Sequence, residues 1–140
     1  MTLTSEYIPI SAYLLKLLRE IENMPNIELE KLDKKCGTAS LKMIKEGSRY
    51  TKWLNGDFSV RQNFEISYRT SGNDSASRTE AFAFLEQLKK ILISVTDADL
   101  GEGRTFIQIS PTDTPVMSVR CRGGEEEYTE VYQLVYLENS

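Results

Sequence analysis

Polar and apolar residues alternate along the stretch DFSVRQNFEISYRT, which begins at Asp57. The apolar set has Phe64 near its centre, and Gln62 is the single polar residue in that set. The other set is wholly polar. Side chains of a β-strand point to opposite faces in turn, so this alternation predicts a long half-buried strand over residues 58–69. We expect Phe64 to lie in the core.

A hairpin turn is predicted just before this strand. Asn55 and Gly56 separate two strand-like runs, and Asn-Gly favours a two-residue type I′ turn because both of its central residues need a positive φ. We therefore expect residues 49–54 to pair with the long strand. An earlier short strand is predicted near residues 40–45, and Gly47 ends it.

Two amphipathic segments predict helices. Apolar residues spaced i, i+3, i+4 and i+7 predict a first helix over residues 11–24, which Pro25 stops. Ser77 followed by Glu80 has the pattern of a capping box, and it predicts a second helix over residues 77–94. The apolar stripe of this second helix comprises Phe82, Leu85, Leu88, Ile91 and Leu92.

Three strands are predicted after the second helix, over residues 104–110, 115–122 and 128–138. The last has apolar residues on both faces, so we expect helices or another subunit to cover both sides. Helices and strands are mixed without strict alternation. This order predicts a single domain over residues 1–140 of the α+β class, a mostly antiparallel sheet with two helices packed on one face.

Few residues in the chain are suited to catalysis. Histidine is absent, which excludes a Ser-His or Cys-His nucleophile and removes the commonest metal ligand. Cys36 and Cys121 are far apart, so a zinc site has little support. We expect no catalytic residue, no metal site and no cofactor. An enzyme that uses carboxylates alone, Glu65 or Glu80 with Arg69, is the least favoured class.

Charge is unevenly distributed, although the net charge is only −4. Residues 30–57 carry seven basic and four acidic side chains, and residues 97–140 carry nine acidic and three basic ones. Two solvated faces are the simpler interpretation, and self-association of the basic patch with the acidic patch is the functional one. The candidate interface residues are Lys31, Lys34, Lys35, Arg61, Glu125, Glu126 and Glu127, the three glutamates at a predicted solvated hairpin tip.

Trp53, beside the hairpin turn, is a candidate anchor for a partner. A packing role within the hairpin is an equal alternative, because tryptophan buries a large apolar area. The acidic net charge argues against direct recognition of nucleic acid. Glu6 precedes the first apolar run and Lys16 interrupts it, so neither a signal peptide nor a membrane partner is expected.

The middle of the chain reads YTKWLNGDFSVRQNFEISYRTSGNDSASRTEAFAFLEQLKKIL. It has an aromatic residue, a glycine turn, a long strand with a central phenylalanine and a glutamate-rich helix with spaced leucines: Tyr50, Gly56, Phe64, Glu80, Leu85 and Leu88. This block resembles the central part of the minor capsid or tail terminator proteins of long-tailed bacteriophages and prophages. The later run TPVMSVRCRGGEEEYTEVYQLVYLEN is similar to the terminal strand pair of that family.

The resemblance implies a structural role. Members of the family form a ring, often of six subunits, on the end of the tail tube, where it stops tube growth and offers a docking surface to the head. The implied partners are further copies of the chain, the tail tube protein and the head–tail connector proteins. The implied location is the virion, at the tail–head junction, after synthesis in the cytoplasm of a bacterial host. The alternative is a small cytosolic ligand-binding or regulatory α+β module.

Overall fold

The computed structural model describes residues 3, 7–29, 36–72, 74–112, 116–121 and 123–139. It contains two helices, α1 (Ile10–Arg19) and α2 (Ser75–Ile93). It also contains six strands: β1 (Ile27–Leu29), β2 (Ala39–Lys52), β3 (Phe58–Thr70), β4 (Arg104–Pro111), β5 (Met117–Arg120) and β6 (Glu126–Glu138). The fold is α+β with a mostly antiparallel sheet, which confirms the predicted class.

All of these strands belong to one sheet with the order β1-β2-β3-β6-β4, and β5 also pairs with β6. The β1–β2 pair is parallel, and the other described pairs are antiparallel. The centre of the sheet is the β3–β6 pair, which runs without a register shift from Phe58 opposite Glu138 to Thr70 opposite Glu126. Strands that are far apart in sequence therefore form the middle of the sheet.

β2 is longer than the sequence predicts. The two expected strands are one strand, interrupted by a large bulge in which residues 45–48 lie opposite the single residue Gln62 of β3. Gly47 in this bulge has a φ of +79°. The Ser48 hydroxyl donates to the Ile44 carbonyl (2.7 Å) and accepts from the Asn63 backbone N–H (2.9 Å). These bonds satisfy backbone groups that the bulge removes from the ladder, so the strand continues beyond Gly47 instead of ending there.

The hairpin loop between β2 and β3 is not the predicted two-residue turn. The Trp53 N–H donates to the Asp57 carbonyl (2.7 Å) and the Gly56 N–H donates to the Trp53 carbonyl (3.1 Å), which leaves a three-residue loop. Gly56 has a φ of +90°, whereas Asn55 does not enter the positive-φ region. Asn55 instead accepts a bond from the Asp57 N–H with its side-chain oxygen (3.0 Å). This local bond is a common use of asparagine in turns.

The α2 helix begins earlier than predicted and has a different cap. Asp74 is the N-cap, and its carboxylate accepts bonds from the Ser77 N–H (2.8 Å) and the Ser77 hydroxyl (2.6 Å). The predicted capping box is wrong, because Ser77 lies inside the first turn and donates its hydroxyl to the cap. Glu80 accepts a bond from the Tyr68 hydroxyl (3.2 Å) instead.

Both helices pack on one face of the sheet, which we call the inner face, and a single hydrophobic cluster lies between them and the strands. Phe64 and Tyr132 stack at its centre with ring centroids 5.5 Å apart, and both are fully buried. The stripe of α2 that meets this core is Ala81, Leu85, Leu88 and Leu92. The sequence pattern also predicts Phe82 and Ile91 in this stripe, but they are 51% and 41% exposed, because the buried side of the helix runs through Ala81 instead.

The opposite face of the sheet, the outer face, carries no helix in the part of the chain that the structure describes. Arg61 and Glu65 of β3 lie on it beside Val131, Val135 and Leu137 of β6. Val131 is buried, and the other two β6 side chains are half-buried. The expectation that β6 is covered on both sides therefore holds for its inner face, where the helices lie. The cover of its outer face stays a prediction.

Candidate assembly surface

The described strands leave the outer edge of β2 unpaired along most of its length. β1 pairs with β2 only from Ala39 to Leu41, and no other described strand pairs with this edge at residues 42–52. An unpaired strand edge presents backbone N–H and C=O groups on which other chains can pair, and lysine on the edge limits indiscriminate pairing. The exposed basic side chains of this segment are Lys42, Lys45, Arg49 and Lys52.

Three large apolar side chains are exposed where the hairpin turns: Tyr50 (58%), Trp53 (55%) and Leu54 (109%). Tyr50 is held in place, since its ring stacks on Phe58 at 4.4 Å and its hydroxyl donates to Glu138 at 3.1 Å. Burial and this hydrogen bond raise the pKa of the Tyr50 hydroxyl. Trp53 and Leu54 have most or all of their surface in solvent, so the structure leaves Trp53 accessible to a partner, as an anchor must be.

Arg61, a predicted interface residue, lies directly opposite Arg49 on the neighbouring strand. Both side chains are exposed, and neither makes an ion pair with a described residue. Like charges in facing positions of a sheet are unfavourable unless an anionic group offsets them. This pair therefore favours an acidic partner. The other predicted basic residues, Lys31, Lys34 and Lys35, lie outside the described residues.

The three glutamates of the predicted acidic half differ in their surroundings, and their place in an interface stays a prediction. Glu126 is only 7% exposed and accepts bonds from the Tyr128 hydroxyl (2.6 Å) and from Arg78 Nε (3.1 Å). The Tyr128 bond, and then the Arg78 contact, lower the pKa of Glu126. Glu127 forms an ion pair with Arg69, whereas Glu125 is half-exposed in the loop before β6. Two of the three glutamates thus hold the fold together instead of forming a solvated hairpin tip.

A second carboxylate of β6 is used in the same way. Glu130 is 4% exposed, forms an ion pair with Lys89 (2.8 Å) and accepts a bond from the Tyr132 hydroxyl (3.1 Å). Burial, followed by the charge of Glu130, raises the pKa of Tyr132. Glu126 and Glu130 are therefore two clamps between β6 and α2. The sequence contains a signal for them, because Glu-x-Tyr occurs twice in EEYTEVY and residues i and i+2 of a strand share a face.

Acidic side chains are exposed elsewhere, in the loop between α2 and β4. Asp97 accepts a bond from the Ala98 N–H (2.9 Å), and Asp99 accepts one from the Gly101 N–H (3.0 Å). Glu102 follows in the same loop and is also exposed. Ion pairs between these three carboxylates and basic side chains are absent among the described residues.

Cavities on the helix side of the sheet are small or open. A cleft of about 110 Å³ lies between the end of α1 and α2, lined by Ile21, Met24, Phe84 and Leu88 among others. Pockets for small molecules are usually about 300–1,000 Å³. A wider depression of about 460 Å³ beside Tyr68 and Glu80 is open to solvent. In the described ranges no three acidic or cysteine side chains are grouped closely enough to hold a metal ion.

The helices of the described segments are too short or too polar for any of them to cross a membrane. A scan against protein-family models finds no match to this chain, and a search of curated proteins finds none either.

Proposed function

We propose that this chain is a structural assembly protein whose copies form a ring at the tail–head junction of a long-tailed phage. The ring would stop growth of the tail tube and offer a surface to head-side connector proteins, and the chain would be made in the bacterial cytoplasm and end in the virion. The single observation that carries this proposal is the open, basic edge of β2, which ends in the exposed side chains of Trp53 and Leu54.

This edge combines two properties of a protein-binding surface. Trp53 and Leu54 supply exposed apolar area at one point, and tryptophan is enriched among residues that dominate binding energy. Arg49 and Arg61 lie three residue pairs farther along the two strands of this hairpin and add positive charge that no described residue neutralises. An apolar centre with a charged rim is the usual anatomy of a protein interface.

The rest of the fold supplies a rigid support for such an edge. The β3–β6 pair is unbroken over 13 residues, and the two glutamate clamps hold α2 against it. Side chains presented by a packed sheet keep their positions better than side chains on a long loop. A subunit that repeats around a ring needs this constancy, because each copy must meet the next at the same angle.

A ligand-binding module is the second candidate, and the structure supports it less. The expectation for such a module is a pocket between helices and sheet. The cleft beside Phe84 and Leu88 lies between α2 and the segment after α1, and it has only about 110 Å³. A pocket of about 350 Å³ does lie between α1 and the sheet, beside Tyr13 and Arg104, but it opens to solvent, as does the depression near Glu80. None of the three encloses a drug-sized ligand in the way that specific small-molecule sites do.

The test uses the purified chain and assembled tail tubes of a long-tailed phage. Light scattering gives the mass in solution at low and high salt, and electron microscopy shows where the protein sits on the tubes. We expect rings, or binding confined to one end of each tube, and shorter tubes when the protein is present during tube assembly. An unrelated acidic protein of similar mass is the control. A protein that stays monomeric and ignores tubes at every salt concentration would contradict the proposal.

A further inference from the structure

Two exposed surfaces of opposite charge lie at the same end of the sheet, on opposite edges. Phe58, Glu138 and Arg104 are side by side across β3, β6 and β4. The loop before Phe58 and the loop before Arg104 therefore lie at the same end of the sheet, next to Glu138. The first belongs to the edge formed by β2, and the second belongs to the edge formed by β4.

The basic surface, which we call the basic hairpin, consists of Lys45, Arg49, Lys52, Trp53 and Leu54. All five side chains are exposed. Ion pairs to the three basic residues are absent within the described segments, and Lys52 has only an aromatic contact, with its Nζ 5.9 Å from the centre of the Phe58 ring. The basic hairpin is thus a cationic and apolar surface whose charge no described residue neutralises through an ion pair.

The acidic surface, which we call the acidic loop, consists of Asp97, Asp99 and Glu102. Residues 94–103 contain no basic side chain, and the guanidinium of Arg104, which follows them, is largely buried, where it donates to the Leu100 carbonyl (3.0 Å). Exposed apolar side chains flank the acidic loop in sequence, with Ile93 53% and Ile107 45% in contact with solvent. The acidic loop thus has the complementary charge and the apolar neighbours that the basic hairpin needs.

Strand direction shows how two copies fit together. Each neighbouring pair in the row β2, β3, β6, β4 is antiparallel, so β2 and β4 run in opposite directions. If a second copy is placed beside the first in the same orientation, its β4 therefore lies antiparallel to β2 of the first copy. A two-fold contact through β2 would instead bring one basic hairpin against another, which like charge opposes. The same-orientation arrangement brings the basic hairpin of one copy beside the acidic loop of the next.

Side chains, and not a continued backbone ladder, form this contact. β4 has a register shift between Phe106 and Gln108, and it ends in Pro111, which has no N–H. β2 has its own bulge between Ile44 and Arg49. Bulges, edge lysines and edge prolines are devices that prevent indiscriminate pairing of strand edges. Specificity in this contact therefore comes from charge and from the apolar residues of the basic hairpin.

We propose that the basic hairpin of one copy binds the acidic loop of the next copy, head to tail. The two surfaces are different, so the contact is heterologous, and repeated around an axis it closes into a ring. Its role in a tail–head ring rests on the proposed function, but the contact itself can be measured with the chain alone.

Charge reversal in two variants tests the contact. The first, K45E/R49E/K52E, makes the basic hairpin acidic, and the second, D97K/D99K/E102K, makes the acidic loop basic. Each variant alone then sets like charges against each other, so we expect self-association at least ~100-fold weaker than for the native chain, measured by analytical ultracentrifugation. The controls, K16E on the exposed side of α1 and E20K at its C-cap, should associate like the native chain. Circular dichroism confirms that each variant is folded.

Mixing the two variants in equal amounts gives the deciding result. Each basic surface then meets an acidic surface on the other variant, in both directions, so a head-to-tail contact restores association to within a few-fold of the native chain. A variant with all six reversals should likewise assemble alone. Variants that associate as tightly as the native chain, or that stay dissociated when mixed, would overturn the proposed contact.

The tail-tube experiment separates this contact from the proposed function. Rescue on mixing without any binding to tubes supports the head-to-tail contact and rejects the tail–head ring. Binding to tube ends by the native chain without rescue on mixing supports the ring and rejects the contact through these residues. Absence of both results rejects both.

Discussion

Trp53 and Phe64 belong to the same hairpin, but their side chains have opposite surroundings. Trp53 is 55% exposed, whereas Phe64 is fully buried against Tyr132. Alternation along β3 is enough to place Phe64 in the core, because the residues on its face are apolar except for Gln62. The alternation does not extend to Trp53, which lies beyond the end of β2. The exposure of Trp53 depends instead on the three-residue loop.

Replacement of Trp53 by alanine should weaken assembly without unfolding the chain. The side chain is mostly exposed, so the free energy of unfolding should change by less than about 0.5 kcal/mol. If Trp53 anchors the contact, self-association should weaken by ~2 kcal/mol, about 30-fold in dissociation constant. Ultracentrifugation measures the association. V119A, which removes an apolar side chain 60% exposed on β5, is the control and should associate normally.

Replacement of Phe64 by aspartate should unfold the protein. The variant would place an unpaired carboxylate in the core, where burial of a charge is strongly unfavourable. Phe64→Leu is the milder comparison, because it keeps the site apolar and should fold with reduced stability. Circular dichroism and urea unfolding measure both. A folded Phe64→Asp protein of native stability would show that the centre of the inner face is not core.

Glu126 should make stability depend on pH. Its folded pKa is lowered by the Tyr128 bond and then by Arg78, so its stabilising effect is complete above the pKa of an unfolded glutamate, about 4.3. This stabilisation is lost as the pH falls through the lowered pKa that Glu126 has in the folded state. Glu126→Gln should therefore be less stable than the native chain near neutral pH, and the difference should shrink below about pH 4.

Urea unfolding at a series of pH values measures this effect. E86Q is the control, because Glu86 forms only an exposed ion pair with Lys90, and such pairs contribute little to stability. A stability difference between E126Q and the native chain that stays constant from about pH 7 to about pH 3 would contradict the assignment.

At the scale of elements, the large bulge in β2 depends on Gly47. An alanine Cβ at this position would lie 2.3 Å from Asn63 Nδ2, and the φ of +79° is unfavourable for any residue with a Cβ. Gly103 is a matched control, since its φ is +81° but an added Cβ would meet nothing within 4 Å. Thermal and urea unfolding should show Gly103→Ala destabilised by about 1–2 kcal/mol and Gly47→Ala by at least ~1 kcal/mol more. Equal losses would show that Asn63 moves aside freely.

Local periodicity predicts the long elements well and the interruptions poorly. The alternation predicts β3 over residues 58–69, and the strand spans Phe58–Thr70, because alternation is a property of the strand itself. Gly47 predicts a strand end where β2 has its bulge, since the bonds that let the strand continue involve Asn63, on the paired strand. The sequence pattern misplaces the α2 cap because Asp74 and Ser77 are both residues that can cap a helix. The choice between them depends on Ser77 also contacting Thr70 and Ser71.

The candidate site was predictable only in part, for the same reason. The excess of basic residues before residue 57 follows from composition, whereas the exposure of Trp53 does not, because the sequence leaves an anchoring and a packing role open. Composition does not show which acidic residues are buried and which are exposed, because that depends on which glutamates face α2. Glu126 and Glu130 turn inward to Arg78 and Lys89, which leaves Asp97, Asp99 and Glu102 exposed.

At the scale of the whole molecule, association through these charges should depend on salt. The Debye length falls from about 10 Å at 0.1 M to about 3 Å at 1 M salt, which screens exposed charges such as those of the basic hairpin and the acidic loop. We expect association of the native chain to weaken by roughly tenfold or more over this range, mainly through slower association. Light scattering measures the strength of association, and stopped-flow mixing measures its rate. Association that strengthens with salt would indicate a contact dominated by apolar surface.

The central strand pair also has a consequence for how the chain is synthesised. β3 and β6 join residues 58–70 to residues 126–138, so the middle of the sheet cannot form until the ribosome has released the second of these segments. The β2–β3 hairpin can form much earlier, because its two strands are neighbours in sequence. A nascent chain that stops before residue 126 would carry the hairpin without β6, so the edge of β3 that pairs with β6 would be unpaired. Such a state is prone to aggregation. Completion of β6 is therefore the step of translation at which the central strand pair, and the core built on it, can form.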